Sequence, residues 1–203
     1  MIVRLPGLGR LLQGAGSAPR DFAGPAQVRA YWEGLRQGGG IPDRMALDPR
    51  GMGGALDRVF LAERIGRGLV QVRIAGSALA EAAGMDLRGL PLSCLFRPEA
   101  RPVLAEVLEA VTQGAAISGL DLSCGGAQPV ARLLLLPLID GPERRLVLGC
   151  LGLDAGRVAP GAGFAILRRQ DERIDPPPAQ HRAPAPPPAP RRVGHLTLVH
   201  GME

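Results

Sequence analysis

The sequence contains no lysine and no asparagine, so all 24 of its basic residues are arginine. Its 203 residues carry a net charge of +5, which taken alone would suggest a nucleic-acid partner. However, residues 1–153 hold 17 arginines beside 14 acidic residues, a net +3, and these charges are scattered along the chain. Aromatic residues, on which single-stranded bases stack, make up only 3%. We therefore expect no nucleic-acid partner.

Long apolar runs are also missing. The longest covers residues 133–139 and includes Pro137, whereas a membrane-spanning helix needs about 20 apolar residues. The N-terminal region is interrupted by Pro6, Gly7 and Gly9, so it lacks the continuous apolar stretch of a signal peptide. These absences predict a cytoplasmic protein that has no membrane contact.

Residue types that commonly perform chemistry are scarce. Cys94, Cys124 and Cys150 form no Cys-x-x-Cys pair, so we expect reduced, buried thiols rather than a metal or redox site. All three histidines lie within residues 181–200. The serines of residues 1–153 therefore have no histidine in the same stretch to act as a base. We expect no enzyme activity, no metal and no cofactor.

Composition divides the chain into three parts. Residues 1–24 form an N-terminal extension, residues 25–153 form a body with clear periodicity, and residues 154–203 form a tail rich in proline and alanine. Proline-rich segments favour extended polyproline II structure and bury little apolar surface. We therefore expect the tail to be mostly disordered. Its short apolar end, residues 195–200, alternates loosely like a strand and either docks on the body or serves as a binding peptide.

The body begins with a predicted helix at residues 25–37. Val28, Tyr31, Trp32 and Leu35 follow the i, i+3, i+4, i+7 spacing of an amphipathic helix. Such a stripe packs either on a partner, for example in a homodimer, or on the sheet of its own chain. The spacing fits both arrangements.

The rest of the body alternates between the periods of strands and helices. The strands are predicted at residues 58–64, 69–75, 116–123, 130–139 and 145–153, and the main helices at residues 78–83 and 99–113. In the second strand, alternation predicts that Val70, Val72 and Ile74 share one face of the sheet.

Two short motifs flank the first pair of strands. Asp48-Pro49-Arg50-Gly51 precedes the first strand, and Arg73-Ile74-Ala75-Gly76 ends the second. In this order and spacing they resemble a family of short stand-alone bacterial PAS-domain proteins, over about residues 25–153. The resemblance implies an α+β fold, a PAS-like five-stranded antiparallel sheet in the order 2-1-5-4-3 with helices on one face, plus the N-terminal amphipathic helix. It also implies a regulatory or sensory role in signal transduction and supplies no catalytic residues.

PAS domains often hold a small molecule between their helices and their sheet. We assign Leu79, Cys94, Phe96, Leu104 and Leu108 to such a ligand cavity. Haem would find no histidine ligand in the body, and a flavin would find no asparagine amide anywhere in the chain. We therefore interpret Cys94 as a small apolar filler. The alternative hypothesis is a cofactor-binding sensor, flavin or redox, that uses Cys94.

The signature residues Asp48, Pro49, Arg50, Arg73 and Gly76 are interpreted as structural. Isolated polar residues in loops commonly satisfy backbone groups, so Asp48 and Arg50 are expected to cap and anchor the loop before the first strand. The leading hypothesis is a non-catalytic regulatory domain. It would dock a protein partner or hold a small apolar ligand, and would transmit the change through its N-terminal helix and tail.

Overall fold

The computed structural model describes residue 22, residues 24–36 and 39–174, and the short pairs 192–193 and 196–197. Most of the predicted N-terminal extension, the end of the predicted first helix, and most of the predicted tail, including residues 195 and 198–200, lie outside the described residues.

Three helices and six main strands make up the described domain. The helices are α1 (Pro25–Leu35), α2 (Ser77–Ala83) and α3 (Arg101–Thr112). The strands are β1 (Val59–Gly66), β2 (Leu69–Ala75), β3 (Ala116–Ser123), β4 (Ala131–Asp140), β5 (Arg144–Leu153) and β6 (Ala165–Arg173). The predicted bounds of α1–α3 and β1–β5 lie within about two residues of these. Two very short strands, β7 (Arg192–Val193) and β8 (Leu196–Thr197), pair only with each other among the described residues.

The six main strands form one antiparallel sheet in the order β2-β1-β5-β4-β3-β6. This confirms the predicted order 2-1-5-4-3 and the α+β class, and it corrects the predicted count of five strands. The sixth strand, β6, pairs with β3 along its whole length and lies inside the stretch assigned to the tail. Most of its side chains are exposed and several are charged, because an edge strand needs little apolar surface.

The central strands are apolar on both faces of the sheet. Along β4, alternate leucines belong to two separate hydrophobic clusters: Leu133 and Leu135 to one, and Leu134, Leu136 and Leu138 to the other. All five are buried. The same alternation continues in β5. Each face of the sheet therefore has to be covered by another layer.

Helices α2 and α3 cover the first face, which we call the helical face. Leu104, Leu108 and Leu79 are buried there in one cluster with β-strand side chains. Phe60 of β1 lies directly over Gly149, its partner on β5, so closely that a Cβ atom at Gly149 would overlap the ring. The absence of a side chain at Gly149 therefore makes room for an aromatic ring in the middle of the sheet.

The opposite face, which we call the outer face, is covered by α1 and by a 3₁₀ segment, Pro49–Arg58. Val28 and Trp32 of α1 are fully buried against this face. The Trp32 Nε1–H donates a hydrogen bond of 2.9 Å to the carbonyl of Pro137 in β4. Of the two arrangements that fit the amphipathic stripe, α1 adopts the one on its own sheet.

The fit of Phe60 over Gly149 can be tested with a matched pair of substitutions. Gly149→Ala forces the ring aside and should lower the free energy of unfolding by about 1–3 kcal/mol. Gly119→Ala, on β3, introduces a Cβ whose nearest neighbour is the Gln170 carbonyl at 3.9 Å, and should change stability by less than about 0.5 kcal/mol. Urea denaturation at neutral pH measures both, and equal effects would show that the ring does not constrain position 149.

Candidate functional site

Four of the five residues assigned to a ligand cavity lie together in the core of the helical face. Leu79, Phe96, Leu104 and Leu108 are buried there in one hydrophobic cluster. Cys94 is exposed instead, which corrects its assignment to the interior. The 3₁₀ turn of residues 92–95 explains this, since three residues per turn place Leu92 and Leu95 inward together and leave position 94 outward.

The other two cysteines are not activated for chemistry. Burial raises the pKa of Cys150 to about 12, and it also raises the pKa of the half-buried Cys124. A thiolate is the reactive form, so a raised pKa makes a thiol inert. No group of three or more His, Cys, Asp or Glu side chains that could hold a metal ion occurs among the described residues.

The predicted partner stripe of α1 is mostly consumed inside the domain. Val28 and Trp32 are fully buried, and Tyr31 and Leu35 are half-buried. Val28 and Trp32 are therefore unavailable to a second chain. Of the two arrangements that the sequence left open for these residues, the structure adopts packing on their own sheet.

Tyr31 connects α1 to the loop that carries the first signature motif. Its hydroxyl accepts a hydrogen bond of 2.6 Å from the Asp48 N–H, and its ring lies so close to Gly51 that a side chain there would overlap it. The Asp48 carboxylate accepts from the Arg50 N–H at 2.9 Å and so caps the 3₁₀ segment that Pro49 begins. The Arg50 side chain is exposed and has no ion-pair partner within the described part of the chain.

An apolar groove opens on the outer face, between residues 44–58, the start of β1 and the end of β2. It has a volume of about 410 Å³. Its lining is apolar apart from one arginine, and consists of Arg44, Met45, Leu47, Pro49, Met52, Leu56, Val59, Phe60, Leu61, Ile74, Ala75, Gly76 and Leu148. Met45, Ile74 and Leu56 are exposed by 82%, 56% and 42% respectively. Three large apolar side chains therefore meet water around one depression.

A β-bulge places Ile74 in this groove. Leu61 pairs with Ile74, but the next residue of β1, Ala62, pairs with Val72, so that Arg73 is the extra residue of β2. A bulge shifts the alternation of side chains by one position. Val70 and Val72 are consequently buried on the helical face, while Ile74 lies exposed in the groove. The expectation that these three residues share a face is therefore wrong.

The second signature motif shapes the floor of the groove. A side chain at Gly76 would overlap the carbonyl of Asp57, because the backbone leaving β2 passes directly against the 3₁₀ segment. The Gly76 N–H also donates to the Val59 carbonyl at 2.8 Å. The two motifs that carry the sequence resemblance thus border one groove, which Pro49 and Gly76 both line.

An ionic cluster centred on Glu63 includes Arg73, the extra residue of the bulge. The Glu63 carboxylate accepts from Arg73 at 2.8 Å and from Arg144 at 3.0 and 3.1 Å, and Arg144 also donates to Asp140 at 2.8 Å. The hydrogen bond from Arg144, with that from Arg73, keeps the pKa of Glu63 below its ordinary value. The cluster links β2, β1 and β5 beside the groove.

A second cleft, of about 360 Å³, lies on the outer face beside the start of α1. Its two arginines already have partners: Arg29 donates to Glu172 at 2.6 Å, and Arg132 pairs with Asp121 at 3.4 Å and donates to Gln170 at 2.8 Å. This cleft therefore offers few unpaired groups to a ligand, and the apolar groove is the stronger candidate site.

In the part of the chain that the structure describes, no helix is long and apolar enough to cross a bilayer.

Glu63 should make stability depend on pH. Because its pKa is lowered in the folded state, its contribution is present above the unfolded pKa, near 4.5, and is lost as the pH falls through the folded pKa. We expect Glu63→Gln to lower the free energy of unfolding by about 1 kcal/mol at pH 7 and by progressively less toward pH 3. Urea midpoints over this range measure the difference. Glu143→Gln, an exposed carboxylate without an ion pair to a described residue, is the control and should differ little from the parent at every pH.

Comparison with known proteins agrees with the architecture. The family model described as a PAS domain matches residues 21–152, which is more than half of the chain and runs from just before α1 to the end of β5. No curated protein and no solved structure matches. The match confirms the resemblance that the signature motifs indicate. The chain therefore belongs to the PAS-domain family.

Proposed function

We propose that this chain is a non-catalytic regulatory domain that acts by binding another protein in the apolar groove. PAS domains generally have sensory or regulatory roles. The observation that carries the proposal is the joint exposure of Met45, Leu56 and Ile74 around one depression. Contiguous exposed apolar surface on a folded domain commonly marks an interaction site.

The charges at the rim define the chemistry of the partner. Arg44 lines the groove, Arg50 lies on the adjoining segment, and both are exposed without an ion-pair partner among the described residues. Apolar anchors supply most of the affinity of an interface, and charges at its rim steer the encounter. We therefore propose a partner segment with a large apolar side chain flanked by aspartate or glutamate.

The walls of the groove connect it to the rest of the domain. Gln27 of α1 donates to the Met52 carbonyl at 3.0 Å, and Tyr31 accepts from the Asp48 N–H. A partner that displaces the 3₁₀ segment would therefore pull directly on α1. These two hydrogen bonds support the hypothesis that partner binding is transmitted through the N-terminal helix.

The alternative, a flavin or redox sensor at Cys94, has lost its geometric support. A cysteine that reacts with a cofactor must face the space between α3 and the sheet, and Cys94 is exposed. An absorption band of flavin or haem in the purified protein would restore this alternative. A small apolar ligand would occupy the space now filled by Leu79, Phe96, Leu104 and Leu108, so the groove is the better site. The cytoplasmic location stays a prediction.

Partner binding can be tested with two isoleucines of similar exposure. Ile74 lies in the groove and is 56% exposed, whereas Ile65, at the end of β1 outside the groove lining, is 49% exposed. A photo-crosslinking amino acid at position 74, introduced in living cells, should capture a defined protein that position 65 does not. With that protein purified, Ile74→Glu should weaken binding by at least about tenfold, because it places a charge in the apolar interface. Ile65→Glu should leave the affinity within about twofold.

Two results would contradict the proposal. Identical adducts from both positions would show that capture is unspecific. An unchanged affinity of the Ile74→Glu variant would place the partner elsewhere, provided that circular dichroism shows both variants to be folded.

A further inference from the structure

Among the residues that the structure describes, no strand pairs with the outer edge of β6. Strand β6 is the last strand of the six-stranded sheet, and it pairs with β3 on one side only. Within the described residues, backbone hydrogen bonds on the other side occur only just before the strand, at Phe164. Its N–H donates to the Leu95 carbonyl, and its carbonyl accepts from the Arg97 N–H. Edge strands with unpaired N–H and C=O groups are templates for pairing with another chain.

The ladder with β3 fixes which backbone groups are free. The Ile174 N–H donates to the Ala115 carbonyl at 3.1 Å, so residue 174 points its backbone groups toward β3. In an antiparallel pair, alternate residues point to the partner strand. Residues 172, 170 and 168 therefore also point toward β3, while residues 169, 171 and 173 point their N–H and C=O groups outward.

The side chains of this strand are complementary to themselves in charge. The sequence Arg168-Arg169-Gln170-Asp171-Glu172 has two positive charges, a neutral amide, then two negative charges. In an antiparallel pair about a two-fold axis at Gln170, Arg169 lies opposite Asp171 of the other copy. Arg168 likewise lies opposite the other copy's Glu172. Opposite charges placed directly across two strands stabilise the pair.

We propose that two copies of this chain associate through β6, antiparallel and centred on Gln170, so that their sheets become continuous. In this register residues 169 and 171 of one copy face residues 171 and 169 of the other, and all four carry outward backbone groups that can bond to each other. The symmetry is that of an isologous dimer. The proposal does not depend on the apolar groove, which lies toward the other edge of the sheet.

Neighbouring registers are unfavourable. A two-fold axis at position 169 would put Arg169 opposite itself, and an axis at position 171 would put Asp171 opposite itself. Like charges directly across a strand pair are destabilising. Registers shifted by one residue would place an outward backbone group opposite an inward one and could not form hydrogen bonds. Charge and backbone direction therefore select the same axis.

The ion pairs within each chain are compatible with the proposed ion pairs between the two copies. Glu172 is bonded to Arg29, and Arg169 to Asp171 at 2.7 Å and to Glu106 at 3.3 Å. A carboxylate has about four lone-pair sites, so it can accept from a second arginine. Arg168 is exposed and has no ion-pair partner in the described ranges, so it can pair across the axis.

The pairing segment is bounded at both ends. At its start, the backbone groups of Phe164 are already bonded. Beyond residue 174 the sequence continues Asp175-Pro176-Pro177-Pro178, and prolines have no N–H to donate to a strand. The apolar segment 195–200 of the same chain could not offer β6 the matching charges.

Charge exchange tests the proposal. The 203-residue chain of 21.2 kDa should show a dimer by native mass spectrometry and light scattering, and salt should weaken it. Reversing the first pair (Arg168→Glu with Arg169→Glu) or the second (Asp171→Arg with Glu172→Arg) should weaken dimerisation more than about tenfold. Mixing the two variants should give a one-to-one heterodimer, because every opposed pair is then attractive.

A monomer at all concentrations up to about 1 mM would overturn the proposal, as would variants that dimerise like the parent. Absence of the heterodimer from a mixture of folded variants would also overturn it.

A disulfide reports the register independently. In a Cys94→Ser background, Gln170→Cys should cross-link two copies under mild oxidation, because the two side chains meet at the axis. Arg168→Cys, two positions along the same strand, should not, since the two copies of residue 168 would be about 13 Å apart. Equal cross-linking of both variants would contradict the proposed axis.

Discussion

The structure depends on a sheet whose central strands are apolar on both faces. A buried leucine contributes about 1.5–3 kcal/mol relative to an exposed one, so neither face of β4 and β5 can be left in water. Helices α2 and α3 cover one face, and α1 and the 3₁₀ segment cover the other. The hydrogen bond from Trp32 to the Pro137 carbonyl fixes α1 on the outer face and satisfies the only polar atom of that indole.

The apolar groove is the place where this second layer ends. The 3₁₀ segment covers the start of β1 and contacts Gly76 at the exit of β2, but it leaves Ile74 exposed, which the bulge at Arg73 turns onto this face. Glu63, held by Arg73 and Arg144, keeps the bulge in place. The proposed binding site thus lies where the outer layer ends, next to the loop that Tyr31 connects to α1.

The sequence predicted most of the fold because its core elements have strong periodicity. The runs of β3–β5 and the stripes of α1 and α3 are long enough to identify strands and helices, and their order gives the PAS layout. The sequence does not reveal strand β6, because Arg168, Asp171 and Glu172 make this segment resemble a solvated tail. An edge strand is specified by backbone pairing with its neighbour, which side-chain patterns do not report.

The candidate site was harder to predict, for physical reasons that single residues show. Strict alternation predicts the wrong face for Ile74, because one bulged residue reverses the alternation and nothing in the strand sequence marks the bulge. The interpretation of Cys94 as a small apolar filler of the interior is wrong because the 3₁₀ turn directs its side chain outward. The signature motifs were found, but only the fold reveals that Pro49 and Gly76 line one groove.

The central claim is that this domain regulates through a protein contact on its outer face and not through a molecule held in its core. Native mass spectrometry of the protein purified from its own cells tests this most directly. The account predicts folded charge states whose mass is that of the polypeptide alone, with any additional mass contributed by other polypeptide chains. A small molecule bound in stoichiometric amount, and released only on unfolding, would contradict it.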